Sequence, residues 1–222
     1  MSDSSPQNSQ AGGILRGAIL HTDFWSSTMP GCVDLNLQLL EEIQRHKEQE
    51  PSAASGSNPG CWRGHRDYDK WQTLRSYVIH KLRLIHRHYV NLGTSCQPLE
   101  DLPDDQFEFE YWTNVNEPGS SNAIHSHAKW HWSGVYYVQA KDTGPIAFYS
   151  QPYLNQNLTL GLPFGQSFTV EPSDGQLLIF PSYLLHEVLQ NTSDRQRINL
   201  GLNVRIDFEG PRPARIATSR NC

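Results

Sequence analysis

From Phe107 to Phe208 the chain is a succession of short runs separated by turn residues. Phe107-Glu-Phe-Glu-Tyr-Trp-Thr-Asn-Val-Asn116 alternates and is rich in aromatics, which suits a pleated, half-buried strand. Further candidate strands are Trp132–Val138, Pro145–Tyr149, Gln166–Val170, Gln176–Phe180, His186–Leu189 and Arg197–Phe208. Asp142-Thr-Gly144, Pro172-Ser-Asp-Gly175 and Asn191-Thr-Ser-Asp194 break them apart. Many short strands at a spacing of roughly ten residues cannot form a helical bundle or a parallel sheet, and they predict a β-sandwich or barrel.

The first half reads differently. Residues 1–13 are Ser/Gln/Gly-rich and are expected to be a disordered tail. Gly17–Phe24 alternates weakly, as a strand would. Asp34–Gln49 predicts a helix, with Asp34 able to cap it and Leu35, Leu39, Leu40 and Ile43 forming an apolar stripe. Pro51–Gly60 is a loop of breakers. Asp67–Asn91 predicts a second helix, with Trp71, Leu74, Val78, Leu82, Ile85 and Tyr89 at helical spacing and Gly93 able to end it. His80, His86 and His88 lack the i, i+4 spacing of a helical ligand pair and read as surface or packing residues. The expected organisation is one domain over residues 14–222. It comprises a helical support region (14–105), a β-barrel core (106–208) and a C-terminal tail (209–222).

Composition narrows the partners. A net charge of -5 leaves no basic footprint for nucleic acid. No apolar run reaches the ~20 residues of a membrane span, and the N-terminus lacks a secretory profile, so a cytoplasmic protein is expected. Cys32, Cys61, Cys96 and Cys222 form no CxxC pair and read as free thiols. Asn157-Leu-Thr159 and Asn191-Thr-Ser193 match the glycosylation pattern but read as chance in that compartment. An exposed barrel or helix face leaves room for a homodimer.

Chemistry concentrates in a few residues. His125 and His127 are two apart, so on a strand both imidazoles share a face. His186, from a neighbouring strand, would bring a third nitrogen to one transition metal. On Arg197-Ile-Asn-Leu-Gly-Leu-Asn203 the residues Arg197, Asn199, Gly201 and Asn203 share one face and Ile198, Leu200 and Leu202 the other. A polar face opposite an apolar one fits a barrel wall with a wet interior. Arg197 on that face suits a carboxylate held by two parallel hydrogen bonds, with a surface ion pair as the alternative. Arg195 lies in the turn and ranks second. Asn114, Asn116 and Asn203 are polar candidates for ligand contacts. Tyr111, Trp112, Tyr137 and Tyr149 are candidates for the pocket or for ordinary barrel core, and only one of the adjacent Tyr111 and Trp112 can face inward. His131 would share the ligand face on an unbroken strand, but three protein ligands already suffice for a metal site that keeps positions open. Tyr153–Gly165 is a long connection of the kind that shapes a substrate pocket.

Taken together, His125-Ser-His127, Trp132-Ser-Gly-Val-Tyr-Tyr-Val138, Gly175-Gln-Leu-Leu-Ile-Phe-Pro-Ser182, His186 and Arg197 resemble the iron(II)- and 2-oxoglutarate-dependent dioxygenases, over about residues 107–208. The resemblance implies a double-stranded β-helix, or jelly-roll, barrel that binds Fe(II), 2-oxoglutarate and O2 and oxidises a small-molecule substrate. It further implies that His125 and His186 ligate iron and that Arg197 holds the distal carboxylate of 2-oxoglutarate. Asn114, Tyr137, Asn199 and Asn203 would provide further cosubstrate contacts, with Tyr111, His131 and Tyr149 near the substrate. Most of the superfamily has Asp or Glu where this chain has His127. His127 can ligate in its place, which the spacing favours. It can also leave a position open, as in relatives that transfer a halide, or Glu110 or Glu187 can fill in. The runs Gly119-x5-His125-x-His127 and Gly175-x5-Pro181-x4-His186 also resemble the two cupin motifs, without the cupin glutamate and with Tyr183 where glycine is usual. A three-His cupin dioxygenase or lyase would need no 2-oxoglutarate.

Overall fold

The structure is a computed structural model and describes residues 22–51, 60–65, 68, 70–149 and 167–208. Among the described residues ten strands and two α-helices follow in the order β1 (Trp25–Thr28), α1 (Cys32–Gln49), β2 (Cys61–Gly64), α2 (Trp71–Asn91), β3 (Phe107–Asn116), β4 (Asn122–His125), β5 (Trp132–Gln139), β6 (Ile146–Tyr149), β7 (Ser167–Val170), β8 (Gln176–Pro181), β9 (Leu185–Val188) and β10 (Arg197–Ile206). They form a six-stranded sheet, β1-β8-β5-β10-β3-β2, and a four-stranded sheet, β4-β9-β6-β7. Every pairing is antiparallel. This is the double-stranded β-helix that the family resemblance implies, mainly β with N-terminal helices.

Strand alternation splits the six-stranded sheet into two chemical faces. On one side Val115, Tyr136, Val138, Leu177, Ile179, Ile198, Leu200, Leu202 and Val204 pack against α1 and α2 in the main core. On the other, Tyr137, Leu178 and Phe180 join Ile146 and Phe148 of the four-stranded sheet in a smaller core. The helices dock by the predicted stripes: Leu35, Leu39 and Ile43 from α1, and Trp71, Leu74, Val78, Leu82 and Ile85 from α2, are all buried. Together these contacts fix the six-stranded sheet as a rigid back wall.

Several expectations change at element ends. Helix α1 starts two residues earlier than Asp34, at Cys32, with a left-handed Gly31 at its N-cap, so Asp34 lies inside the first turn and complements the helix dipole. Helix α2 starts at Trp71 rather than Asp67. Its end is as expected: Gly93 is left-handed and donates to the Val90 carbonyl, while the Thr94 N–H returns to Tyr89. A strand at Gly17–Phe24 is not seen at residues 22–24, because strand pairing begins at Trp25; residues 17–21 lie outside those described. β2 was not expected, yet it extends the large sheet at the edge of β3. Asn157 and the Tyr153–Gly165 connection lie outside the described residues. Asn191, the other glycosylation match, is buried and holds its turn by donating to the Arg195 carbonyl and accepting from Ser193. Cys32, Cys61 and Cys96 are free thiols. No described helix is long and apolar enough to cross a membrane.

Candidate metal centre and cosubstrate cavity

The two sheets enclose a cavity of about 370 Å³. Its four-stranded wall presents Asn122, His125, Ile146, His186 and Val188, and its six-stranded wall presents Arg63, Glu110, Trp112, Asn114, Tyr137, Asn199 and Asn203. Ile124 is 45% exposed and Arg63 stands on the opposite edge strand, so the cavity opens between β4 and β2.

His125, His127 and His186 meet inside it, with candidate ligand nitrogens all within 4.8 Å of one another. His125 of β4 pairs directly across from His186 of β9, and their ring centroids are 4.4 Å apart. His127 arrives by a different route from the one the spacing predicts. β4 ends at His125, and the chain then turns inward, fixed by the His127 N–H donating to the Ser182 carbonyl at 2.8 Å. Its ring centroid ends 5.1 Å from that of His125 and 5.3 Å from that of His186.

Hydrogen bonding sets two of the three tautomers. His125 Nδ1 lies 2.6 Å from the Ala123 carbonyl oxygen and His186 Nδ1 lies 2.9 Å from that of Leu184. A carbonyl only accepts, so Nδ1 carries the proton in both and Nε2 keeps its lone pair. Burial, reinforced by His125, pushes His186 down to about 3, and burial with His125 and Arg63 nearby pushes His127 down to about 4. The neutral imidazoles a first-row metal needs are therefore present at neutral pH. His127 Nδ1 faces the Asn203 amide nitrogen at a long 3.4 Å, and that same nitrogen donates to Glu110 Oε2 at 2.8 Å. Glu110 thus stands one residue removed from His127, outside the three-histidine group. Glu187 lies on the outward face of β9, opposite Ala147, and accepts a hydrogen bond from Tyr149, so it cannot take the vacant ligand position.

Arg197 is fully buried behind the cavity wall, on the same face of β10 as Asn199 and next to the lining residue Tyr137. Its Nη1 donates to the carbonyls of Thr143, Gly144 and Leu189, at 2.9, 3.3 and 3.4 Å. Nε and Nη2 are buried with no partner, and no described acid pairs with the charge. The surface ion pair is thereby excluded, and Arg195 is the exposed one, pairing with Asp142. Tyr137 is close enough that Arg197 counteracts part of the strong upward shift burial gives its hydroxyl. A buried cation without a counter-ion costs several kcal/mol, so the orphaned donors fit an anionic cosubstrate. Asn114 and Asn199 hydrogen-bond to each other at 3.0 Å on the cavity wall, and Asn203 accepts from Ser133 Oγ at 2.8 Å.

Other placements differ from expectation. Trp112 is the inward member of the Tyr111–Trp112 pair: Tyr111 stacks on Trp71 in the helix-facing core, with centroids 3.8 Å apart. Tyr149 shares the outward face of β6 with Ala147 and is not on the cavity wall. His131 is exposed and its Nδ1 accepts from the Ile206 N–H, so it ties down the end of β10. Asn116 turns to Asn122, donating to Oδ1 at 3.0 Å. Of the helix histidines, His86 is buried and accepts from Trp132 Nε1, while His80 and His88 are exposed. Arg63 is a charged cavity residue that sequence reasoning missed, because four residues, Cys-Trp-Arg-Gly, carry no readable period.

Comparison with known proteins agrees with this architecture. Residues 110–203 match the family described as "Putative 2OG-Fe(II) oxygenase", a span that holds the three histidines and Arg197. Over that span, which is under half of its length, the chain is similar to the iron(II)- and 2-oxoglutarate-dependent oxygenases. It is accordingly an oxidoreductase whose cofactors are Fe(II), 2-oxoglutarate and O2. No curated protein matches it. Its fold is similar to that of a prolyl-4-hydroxylase from Pseudomonas putida, with a TM-score of 0.56, 20% identity, and 84% of this chain and 94% of that one covered. It is also similar to the non-heme α-ketoglutarate-dependent carbocyclase SnoK of nogalamycin biosynthesis, with a TM-score of 0.55, 12% identity, and 82% and 79% covered. A Trichoplax adhaerens prolyl hydroxylase, solved with a peptide fragment of a hypoxia inducible factor, gives a TM-score of 0.50, 13% identity, and 82% of each chain covered.

Proposed function

We propose that His125, His127 and His186 together hold the iron, that Arg197 and Tyr137 bind the distal carboxylate of 2-oxoglutarate, and that the enzyme oxidises a small molecule admitted between β4 and β2. One observation carries this reading: three imidazoles meet in a single cavity, and a buried guanidinium with two unpartnered nitrogens lies behind its wall beside Tyr137. When bound, the iron and 2-oxoglutarate supply the oxidising chemistry, in which O2 and 2-oxoglutarate are consumed, CO2 and succinate are released and the substrate is oxidised.

The chain's own part is positioning and exclusion of water. Ala123 and Leu184 fix two ring orientations through Nδ1. Arg197 offers two free N–H groups of a planar fork, the geometry that holds a carboxylate. Ile146, Phe180 and Val188 keep the space around His186 apolar. In this reading a third imidazole replaces a carboxylate, so the site carries one more positive charge than the usual triad, and Glu110 returns a negative charge from one residue further out.

A cupin-type three-His dioxygenase or lyase is the second reading, favoured by the all-imidazole ligand set; there Arg197 would hold a substrate carboxylate. Succinate formation separates the two. The proposed function predicts O2-dependent conversion of 2-oxoglutarate to succinate by the Fe(II)-loaded protein. Substrate turnover that continues at full rate without 2-oxoglutarate would establish the cupin-type reaction.

A further inference from the structure

Arg63 lines the cavity, and the cosubstrate scheme does not use it. Edge strand β2 pairs it with Asn114, which points its side chain inward at the mouth. Its guanidinium carbon lies 4.4 Å from the centre of the Trp112 ring. Trp112 in turn stacks on His127, with centroids 5.6 Å apart and planes 28° apart. Guanidinium, indole and imidazole therefore form one column from the mouth to the candidate metal centre. The indole is a fixed platform: a Cβ at Gly201 would fall 2.4 Å from it, so only glycine leaves room for it on β10. Arg63 Nε is buried without a partner, and no described acid forms an ion pair with the side chain. Glu110 favours the Arg63 charge from a distance and partly offsets its burial, but it forms no ion pair with it and is hydrogen-bonded by Asn203. Burial pushes the Cys61 thiol up to about 11, so it stays neutral. His65, at the same edge, is exposed.

A guanidinium held flat on an indole keeps its fork of N–H groups free for an oxyanion. We infer that Arg63 is the substrate anchor and that the substrate is a small molecule carrying an oxyanion, a carboxylate or a phosphate monoester. The anion sits at the mouth, on Trp112, and the carbon to be oxidised extends past the indole toward the three histidines. This rests on the cavity being the iron and 2-oxoglutarate site.

The test uses the full-length protein loaded anaerobically with Fe(II) and 2-oxoglutarate. Calorimetric titration compares benzoate, phenyl phosphate and the neutral benzamide. At least one anion should bind at least about tenfold more tightly than benzamide, as a charge-assisted pair requires. Arg63→Gln should erase that preference and Arg63→Lys should retain part of it, while Arg45→Gln, a change on the outer surface of α1, should leave it intact. Whichever anion prevails identifies the group. Equal binding of benzamide and both anions, no binding of either anion, or a preference that survives Arg63→Gln would overturn the inference. The visible band of the iron–2-oxoglutarate complex is recorded on the same samples. Its absence refutes the reading of the cavity, whereas a normal band with no anion preference refutes only the role of Arg63.

Discussion

The two walls of the cavity follow the same strand alternation but carry different chemistry. The four-stranded wall is short, and beside Asn122, Ile146 and Val188 it carries two histidines, directly paired and locked in one tautomer by the carbonyls of Ala123 and Leu184, each two residues earlier in the chain. The six-stranded wall is long and polar, with Arg197, Asn199, Asn203, Asn114, Trp112 and Arg63 facing in, backed on its other side by the helix-packed core. The difference teaches a division of roles: the small wall holds the metal, and the large wall sorts the anions that approach it. His127 belongs to neither wall. It follows the end of β4, hangs from the Ser182 carbonyl, and reaches the large wall through Asn203.

That division can be broken from either side. The largest effect is expected on the small wall. His186→Ala should abolish Fe(II) binding and lower succinate formation by at least about a thousandfold, since the ligand and its fixed geometry are both lost; radiolabelled 2-oxoglutarate turnover measures it. On the large wall, Arg197→Met should leave Fe(II) binding in place and weaken 2-oxoglutarate by about a hundredfold, the loss expected when a buried charge pair loses one partner. A thermal shift gives the sharper signature. 2-Oxoglutarate should raise the Tm of the Fe(II)-loaded parent protein and fail to raise that of the variant. In the absence of ligand the variant should be at least as stable as the parent, because an unpaired buried cation has been removed.

Acidification offers a third comparison. His186 and His127 have folded values near 3 and 4, below the ordinary imidazole value of 6.5. Their contribution to stability is complete above about pH 6.5. Below that the unfolded chain takes up protons that the fold does not, and the contribution is lost as pH falls toward 4 and then 3. The Tm of the metal-free protein should therefore drop between pH 6.5 and 4, and His186→Phe should flatten the drop. The smallest effect is expected from Tyr137→Phe, which removes one hydrogen-bonding hydroxyl beside Arg197. It should raise the KM for 2-oxoglutarate by about three- to tenfold with little change in kcat.

Long periodic segments were readable in the sequence, and short ones only where turn residues bracket them, as at β6, β7 and β9. β3 has the predicted bounds, and β10 departs only at its end, because ten alternating residues state both the strand and its two faces. That face assignment placed Arg197, Asn199 and Asn203 together before any geometry was known. Strand β2, of four residues, was invisible, and with it went Arg63, while β4 was legible only as the strand that carries His125. Tyr111 and Tyr149 were misplaced for another reason. Alternation says which neighbours share a face, but only the register of adjacent strands says which face is inside. His127 was expected to converge through the two-residue period. It converges instead through a turn and a backbone hydrogen bond, a tertiary arrangement that no local pattern encodes.

The central claim is that both walls act on one bound complex. Its most direct test is an anaerobic titration in which Fe(II) is added first and 2-oxoglutarate second, followed in the visible range. A charge-transfer band should appear only after the second addition, vanish in His186→Ala, and require about a hundredfold more 2-oxoglutarate in Arg197→Met. Fe(II) binding with no band at saturating 2-oxoglutarate, or a band unaffected by Arg197→Met, would contradict it.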